Sequence, residues 1–236
     1  MSPAATDLLY PAPERPAQLA ALLCGFFAGL PLVRRVVVFG SQATGGGDRW
    51  SDVDLVVVTP QLADYRSVLA ALRAYKPVVY HAPVRSSPDH PGLHALGIVF
   101  AGESVFHSLD LNFIALAAYN TPGSLRWFGP SRECYAAQAA PPVGGADTAP
   151  VLPPPDPTEL SIDAANYWTK RAARRVLRGQ GSRADLARRS RELRAILRGF
   201  PPNCSMPGGD PCAPARTYLA IAEALLTTGS DAGDQM

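Results

Sequence analysis

Apolar residues recur along this chain at two spacings. Leu19, Leu22, Leu23, Phe26 and Leu30 follow the helical period, which predicts an amphipathic helix from about Pro16 that packs on whatever sheet follows. The next apolar runs are short and rich in valine. Residues 34–39 and 52–59 read as buried strands, the second closed by Pro60, with a glycine-rich turn over 40–47 between them. Residues 61–74 return to the helical period, with Leu62, Tyr65, Leu69 and Leu72 on one side. Residues 77–82, 96–100 and part of 104–115 read as strands, and the Pro-, Ser- and His-rich stretch between the first two reads as a loop.

The pattern then stops. Residues 141–157 hold 7 prolines in 17 positions, a composition that carries neither a helix nor a central strand and suits a semi-rigid linker. Beyond it the period is helical again over 159–178, 183–198 and 214–227, where Tyr218, Ala222, Leu225 and Leu226 mark an inner face. The expected organisation is an α/β domain over residues 1–140, a linker over 141–157 and a helical bundle over 158–236.

Composition adds little. Hydrophobic residues make up 47% and charged residues 18%, enough for a real core. Net charge is +2, and of 22 basic residues only Lys76 and Lys170 are lysine. That balance alone gives no case for nucleic acid. Residues 17–33 carry no charge, but the stretch is short for a membrane span, is broken by Pro31 and is preceded by Asp7 and Glu14. Cys24, Cys134, Cys204 and Cys212 are scattered, with no C-x-x-C and no histidine at zinc spacing. A zinc site and a disulfide framework are therefore not expected, and a reducing cytoplasm is the default.

The candidate chemistry lies at the glycine-rich turn. Gly40 and Gly45 have the spacing of a phosphate-binding loop, but no Lys-Ser/Thr pair follows, and the glycines are not in dinucleotide-binding order. Twelve positions after Gly40 comes Asp52-Val53-Asp54, running into Leu55-Val56-Val57-Val58. On a strand, residues i and i+2 share a face, so Asp52 and Asp54 converge while Val53 and Leu55 pack away from them. Convergent carboxylates form a hard-oxygen site suited to Mg²⁺. Gly40 would let the backbone approach a phosphate closely, and Ser41 would offer a hydroxyl and an N–H.

Gly-Ser, a spacer, then Asp-x-Asp before an apolar run resembles the DNA polymerase beta-like nucleotidyltransferase superfamily, over about residues 30–116. The resemblance implies a small mixed-sheet catalytic domain and a third carboxylate from a neighbouring strand. Asp110 in "HSLDLNFIAL" fits, with Glu103 as the alternative if the register differs. The helical half looks like the aminoglycoside-type nucleotidyltransferases, through "NYWTKRAARRVLRGQ". That likeness implies that Lys170 contacts the triphosphate, and Lys170, Arg174 and Arg178 form a basic stripe. Two positions depart from the pattern. Thr44 stands where the superfamily commonly has Arg. Asn166 stands where some antibiotic-modifying members have a Glu general base, and an amide accepts no proton at neutral pH. Asp163 and Glu192 are the other acids available there. His81, His90, His94 and His107 lie between the second aspartate and the third, and His90 and His94 read as loop residues.

The expectation is an enzyme in which Asp52, Asp54 and Asp110 hold two Mg²⁺ ions. It would move AMP from ATP onto a hydroxyl of a small acceptor such as an aminoglycoside, in the cytoplasm, with no membrane or nucleic-acid partner. No oligomeric state is specified. The rivals are a non-catalytic or protein-modifying module of the toxin–antitoxin type and an RNA-directed nucleotidyltransferase. For the latter, residues 159–198 carry 11 basic residues against 4 acidic ones, with Tyr167 and Trp168 among them.

Overall fold

The computed structural model describes residues 10–87, 90–137, 152, 157–201, 204, 206 and 208–227. The chain divides into two compact units, residues 1–78 with 84–154, and residues 79–83 with 155–236. The short stretch 79–83 thus groups with the later helices, which no linear division provides for. Apart from Leu152 and Pro157, the proline-rich segment 141–157 lies outside the described residues.

Helix α1 spans Arg15–Ala28 and is followed by β1 (Arg35–Phe39), a single helical turn α2 (Gly40–Ala43) and β2 (Val53–Thr59). A 3₁₀ turn leads into α3 (Tyr65–Tyr75), then β3 (Val78–His81), β4 (Arg85–Ser87), β5 (His90–Phe100), β6 (Leu109–Ala115), the turn α4 (Leu116–Tyr119) and β7 (Ser131–Ala136). The seven strands form one mixed sheet in the order β3-β5-β6-β2-β1-β7, with β4 paired to β5. The expected loop between the third and fourth strands is instead a strand pair. Arg85 faces Ala95 and Ser86 faces His94 in antiparallel register. His81 therefore lies on β3, and His90 and His94 lie on β5. Pro91 masks this in the sequence, but it lies outside the β5–β6 ladder, which begins at Leu93.

Alternation along β1 and β2 separates two cores. Val36, Val38, Val53, Leu55 and Val57 pack with Leu19, Leu23 and Phe27 of α1 and with Tyr65, Val68, Leu69 and Leu72 of α3. Each fully buried aliphatic or aromatic side chain there contributes about 1.5–3 kcal/mol. On the opposite face Val37, Val56 and Val58 meet Leu93, Ile114 and Phe128 in a much smaller cluster. Helix α3 stops at Lys76, which is extended because Pro77 follows it.

The cysteines also depart from the sequence reading. Cys24 on α1 and Cys134 on β7 form a disulfide, with Cα atoms 6.6 Å apart. Strand β7 returns antiparallel along β1 and so brings Cys134 back to the first helix, which spacing 110 residues apart could not reveal. This withdraws the cysteine argument for a reducing compartment. Among the described residues no helix is long and apolar enough to cross a membrane. Glu103, the alternative had the register differed, stands outside the group of Asp52, Asp54 and Asp110. It is buried in an ion-paired cluster, with two Arg15 guanidinium nitrogens at 2.5 and 2.9 Å and the Lys76 ammonium at 2.8 Å.

Burial alone would raise the Glu103 carboxyl, but the hydrogen bonds and charges of Arg15 and Lys76 hold it below its ordinary value of 4.5. Stability from this cluster is therefore complete above that value and is lost as pH falls through the depressed one. Glu103→Gln is expected to cost about 2–3 kcal/mol at pH 7, less than for a sealed pair because Arg15 is 40% exposed. Urea titrations across pH check this. The gap between variant and wild type should close in acid, and a constant gap would refute the ionic account.

In the second unit α5 (Pro157–Leu177), α6 (Arg183–Leu197) and α7 (Cys212–Thr227) pack through Ile162, Ala173, Leu186, Leu193, Tyr218 and Ala222. Ser182 caps α6 by accepting from the Ala184 and Asp185 amides. Gly179, at φ +68°, ends α5 in the left-handed region. Tyr80 bridges Gly209, and the His81 amide donates to the Gly208 carbonyl.

Candidate active site

Strands β2 and β6 run parallel, with Asp54 directly opposite Asp110. Residues 54, 56 and 58 share a face of β2, as do 110, 112 and 114 on β6. That face carries the small cluster of Val56, Val58 and Ile114. The carboxylates stand where this cover ends, at the starts of the two strands. Asp52 lies just before β2, one residue outside the strand on which it was expected. Each of the three acids offers an oxygen within 4.8 Å of the others, and all are half-buried. At that separation each pair of charges costs on the order of 1 kcal/mol even in water and more in a drier setting, unless a cation lies between them. The donor set is all hard oxygen, as Mg²⁺ requires. The residues therefore fit a divalent cation.

Gly40 sits beside Asp54 for a reason the sequence did not disclose. Gly40 has φ +65°, and a Cβ there would lie 2.7 Å from Asp54 Oδ2. The missing side chain makes room for a carboxylate. The Gly40 amide donates to the Pro130 carbonyl at 3.2 Å, so this N–H is already committed within the fold. Ser41 stands in α2, where its carbonyl accepts from the Gly46 amide and the Thr44 hydroxyl. Thr44 thus closes the turn.

Behind Asp52 a small turn is built from Asp48, Trp50 and Ser51. The Asp48 carboxylate accepts from the Trp50 amide at 3.1 Å and from the Ser51 hydroxyl at 3.0 Å. His107 reaches this turn from the β6 side. Sequence reasoning singled out neither feature, although Asp-x-x-Ser before a strand is a turn signature.

The residues expected from the helical half belong to the second unit. Lys170 on α5 is only 5% exposed. Asn166 is buried, and its side-chain N–H donates to the Pro211 carbonyl at 3.2 Å, a structural role. Glu192 pairs with Arg188 and Arg189 on its own helix. Tyr167 and Trp168 are 44% and 42% exposed, so neither is core.

Comparison with known proteins gives residues 24–84 as a match to the family model described as a nucleotidyltransferase domain. The match takes in β1, the glycine turn, Asp52 and Asp54, and α3. Asp110 and most of the second unit lie beyond it. No curated protein matches the chain. A chain from the solved "structure of GLD-2/RNP-8 complex" matches at 20% identity over 50% of this chain and 40% of that chain, with a TM-score of 0.35. The chain therefore spans under half the length of that neighbour.

Proposed function

We propose that this chain, whose residues 24–84 match a nucleotidyltransferase domain, is a nucleotidyl-transferring enzyme that moves AMP from ATP onto a hydroxyl of a small-molecule acceptor. The supporting observation is the gathering of Asp52, Asp54 and Asp110 at the starts of two parallel neighbouring strands. On this reading the three carboxylates hold two Mg²⁺ ions. Bound there, Mg²⁺ supplies charge neutralisation to the triphosphate and to pyrophosphate as it leaves. The chain's own part is to hold three oxygens rigidly in one small volume, with Gly40 giving Asp54 its place and Ser41 adjoining. The acceptor oxygen bonds to the α-phosphorus, the bond to the β-phosphate breaks, and the acceptor proton passes to solvent. For Lys170 the resemblance is the sole support, so its phosphate contact is no part of the geometric case.

A second reading rests on a separate observation. Tyr167 and Trp168 are exposed on α5, and the guanidinium carbons of Arg171 and Arg189 lie 5.6 and 5.1 Å from the Trp168 ring centre. An aromatic and arginine surface of this kind suits stacking of single-stranded RNA bases. Incubation of α-labelled ATP and Mg²⁺ with hydroxylated small molecules, proteins and RNA separates the two. Label on a small molecule with Mg²⁺-dependent pyrophosphate release is the expected result. Label on RNA, with binding that falls steeply with salt, would replace the small-molecule reading. ATP binding without turnover on any acceptor would refute both.

A further inference from the structure

We propose that His107 is a positioning residue that holds the Asp52 arm against the Asp110 arm. The inference rests on the active-site reading above. The β2–β6 ladder opens at Val53 opposite Leu109, and the Val53 amide extends it by one bond to the Ser108 carbonyl at 3.0 Å. Asp52 lies before that point, where strand pairing no longer holds it. A side chain adds a further cross-link. His107 Nε2–H donates to the Arg49 carbonyl at 2.8 Å. A carbonyl only accepts, so this nitrogen carries the proton.

The placement is symmetric, since Arg49 is three residues before Asp52 and His107 three before Asp110. Both ends of the bond are rigid. His107 is 1% exposed, and its amide donates to the Ser104 carbonyl at 2.9 Å. On the other side the Asp48–Ser51 turn closes on itself. Ser51 Oγ accepts from the Asp48 amide at 2.9 Å, and the Ser51 amide donates to the Asp48 carbonyl at 2.9 Å. A preformed turn pinned at its carbonyl transmits the position of β6 directly to Asp52. Without the pin, one tie between the Asp52 arm and the Asp110 arm is lost. The acids would then meet a cation with looser spacing, and ligand geometry of this kind is held by outer contacts.

The test uses the full chain with His107→Ala and His107→Gln. Glutamine can present an amide N–H near the position of Nε2. His107→Ala should raise the Mg²⁺ concentration for half-maximal pyrophosphate release about 5–10-fold, the scale of one buried hydrogen bond. In metal-free protein it should speed hydrogen exchange at the Ser51 and Val53 amides by a similar factor. His107→Gln should recover most of both. Faster exchange at these two amides than at those of β1 and β7 separates this from general destabilisation. An alanine variant with unchanged Mg²⁺ dependence and unchanged exchange overturns the proposal, and so does a glutamine variant no better than alanine. Wild-type protein with no divalent-ion dependence overturns the reading of the site instead, and the two failures are told apart by which protein shows them.

Discussion

Asp54→Asn should remove pyrophosphate release while leaving the fold intact. Asparagine keeps the shape of the side chain and one oxygen, but it loses the charge and presents an N–H₂ where a cation needs a donor. Asp54 is the central acid of the set, two residues from Asp52 on its own chain and paired across the ladder with Asp110. The expected loss in turnover is about 10²–10³-fold or more, as when a group that stabilises transition-state charge is deleted. Stability should move the other way. Three carboxylates offering oxygens within 4.8 Å of one another repel when no cation is present, so removing one charge should hold or raise the melting temperature in EDTA. Mg²⁺ should then raise the melting temperature of wild type more than that of the variant, through its preference for the native state. Opposite effects on activity and metal-free stability mark a functional site. Loss of both together would mean that Asp54 is structural and that the metal reading is wrong.

Much of this site can be read from local pattern, for a physical reason. A strand has period two, so Asp52-Val53-Asp54 before four apolar residues can only place both acids on one side and Val53 in the core. The sheet obeys that rule, with Val53, Leu55 and Val57 in the large core and Val56 and Val58 in the small one. Asp110 came instead from the resemblance, which implies a third carboxylate on a neighbouring strand, and the sheet sets it opposite Asp54. What pattern cannot carry is pairing over distance. The β4–β5 pair was hidden by Pro91, and the disulfide of Cys24 with Cys134 depends on β7 returning along β1. His107 read as one of four scattered histidines because its partner is a backbone carbonyl 58 residues away, and a carbonyl leaves no trace in a sequence. The helical half was legible as helices but not as chemistry. Alanine, arginine and leucine set the period, yet Asn166 turned out to bond Pro211, and Trp168 to lie exposed.

Gly40 supplies the sharper test, because a second glycine in the same turn controls for backbone strain. Gly40 and Gly45 have φ of +65° and +72°, so an alanine at either enters the left-handed region at a cost of about 1–2 kcal/mol. Their surroundings differ. A Cβ at Gly45 has nothing within 4 Å, while one at Gly40 lies 2.7 Å from Asp54 Oδ2. That oxygen must move, and it belongs to a short side chain whose displacement shifts a cation ligand. Gly40→Ala should therefore lower kcat about 10²-fold, the effect of misplacing a reacting group by about 1 Å. Gly45→Ala should lose similar stability and keep most of its activity. Steady-state kinetics and urea titration of the two variants decide the matter. Equal activity in both would show that the glycine at position 40 serves the turn alone and that room for Asp54 is incidental. A loss confined to Gly40→Ala would tie that glycine to the carboxylate it makes room for.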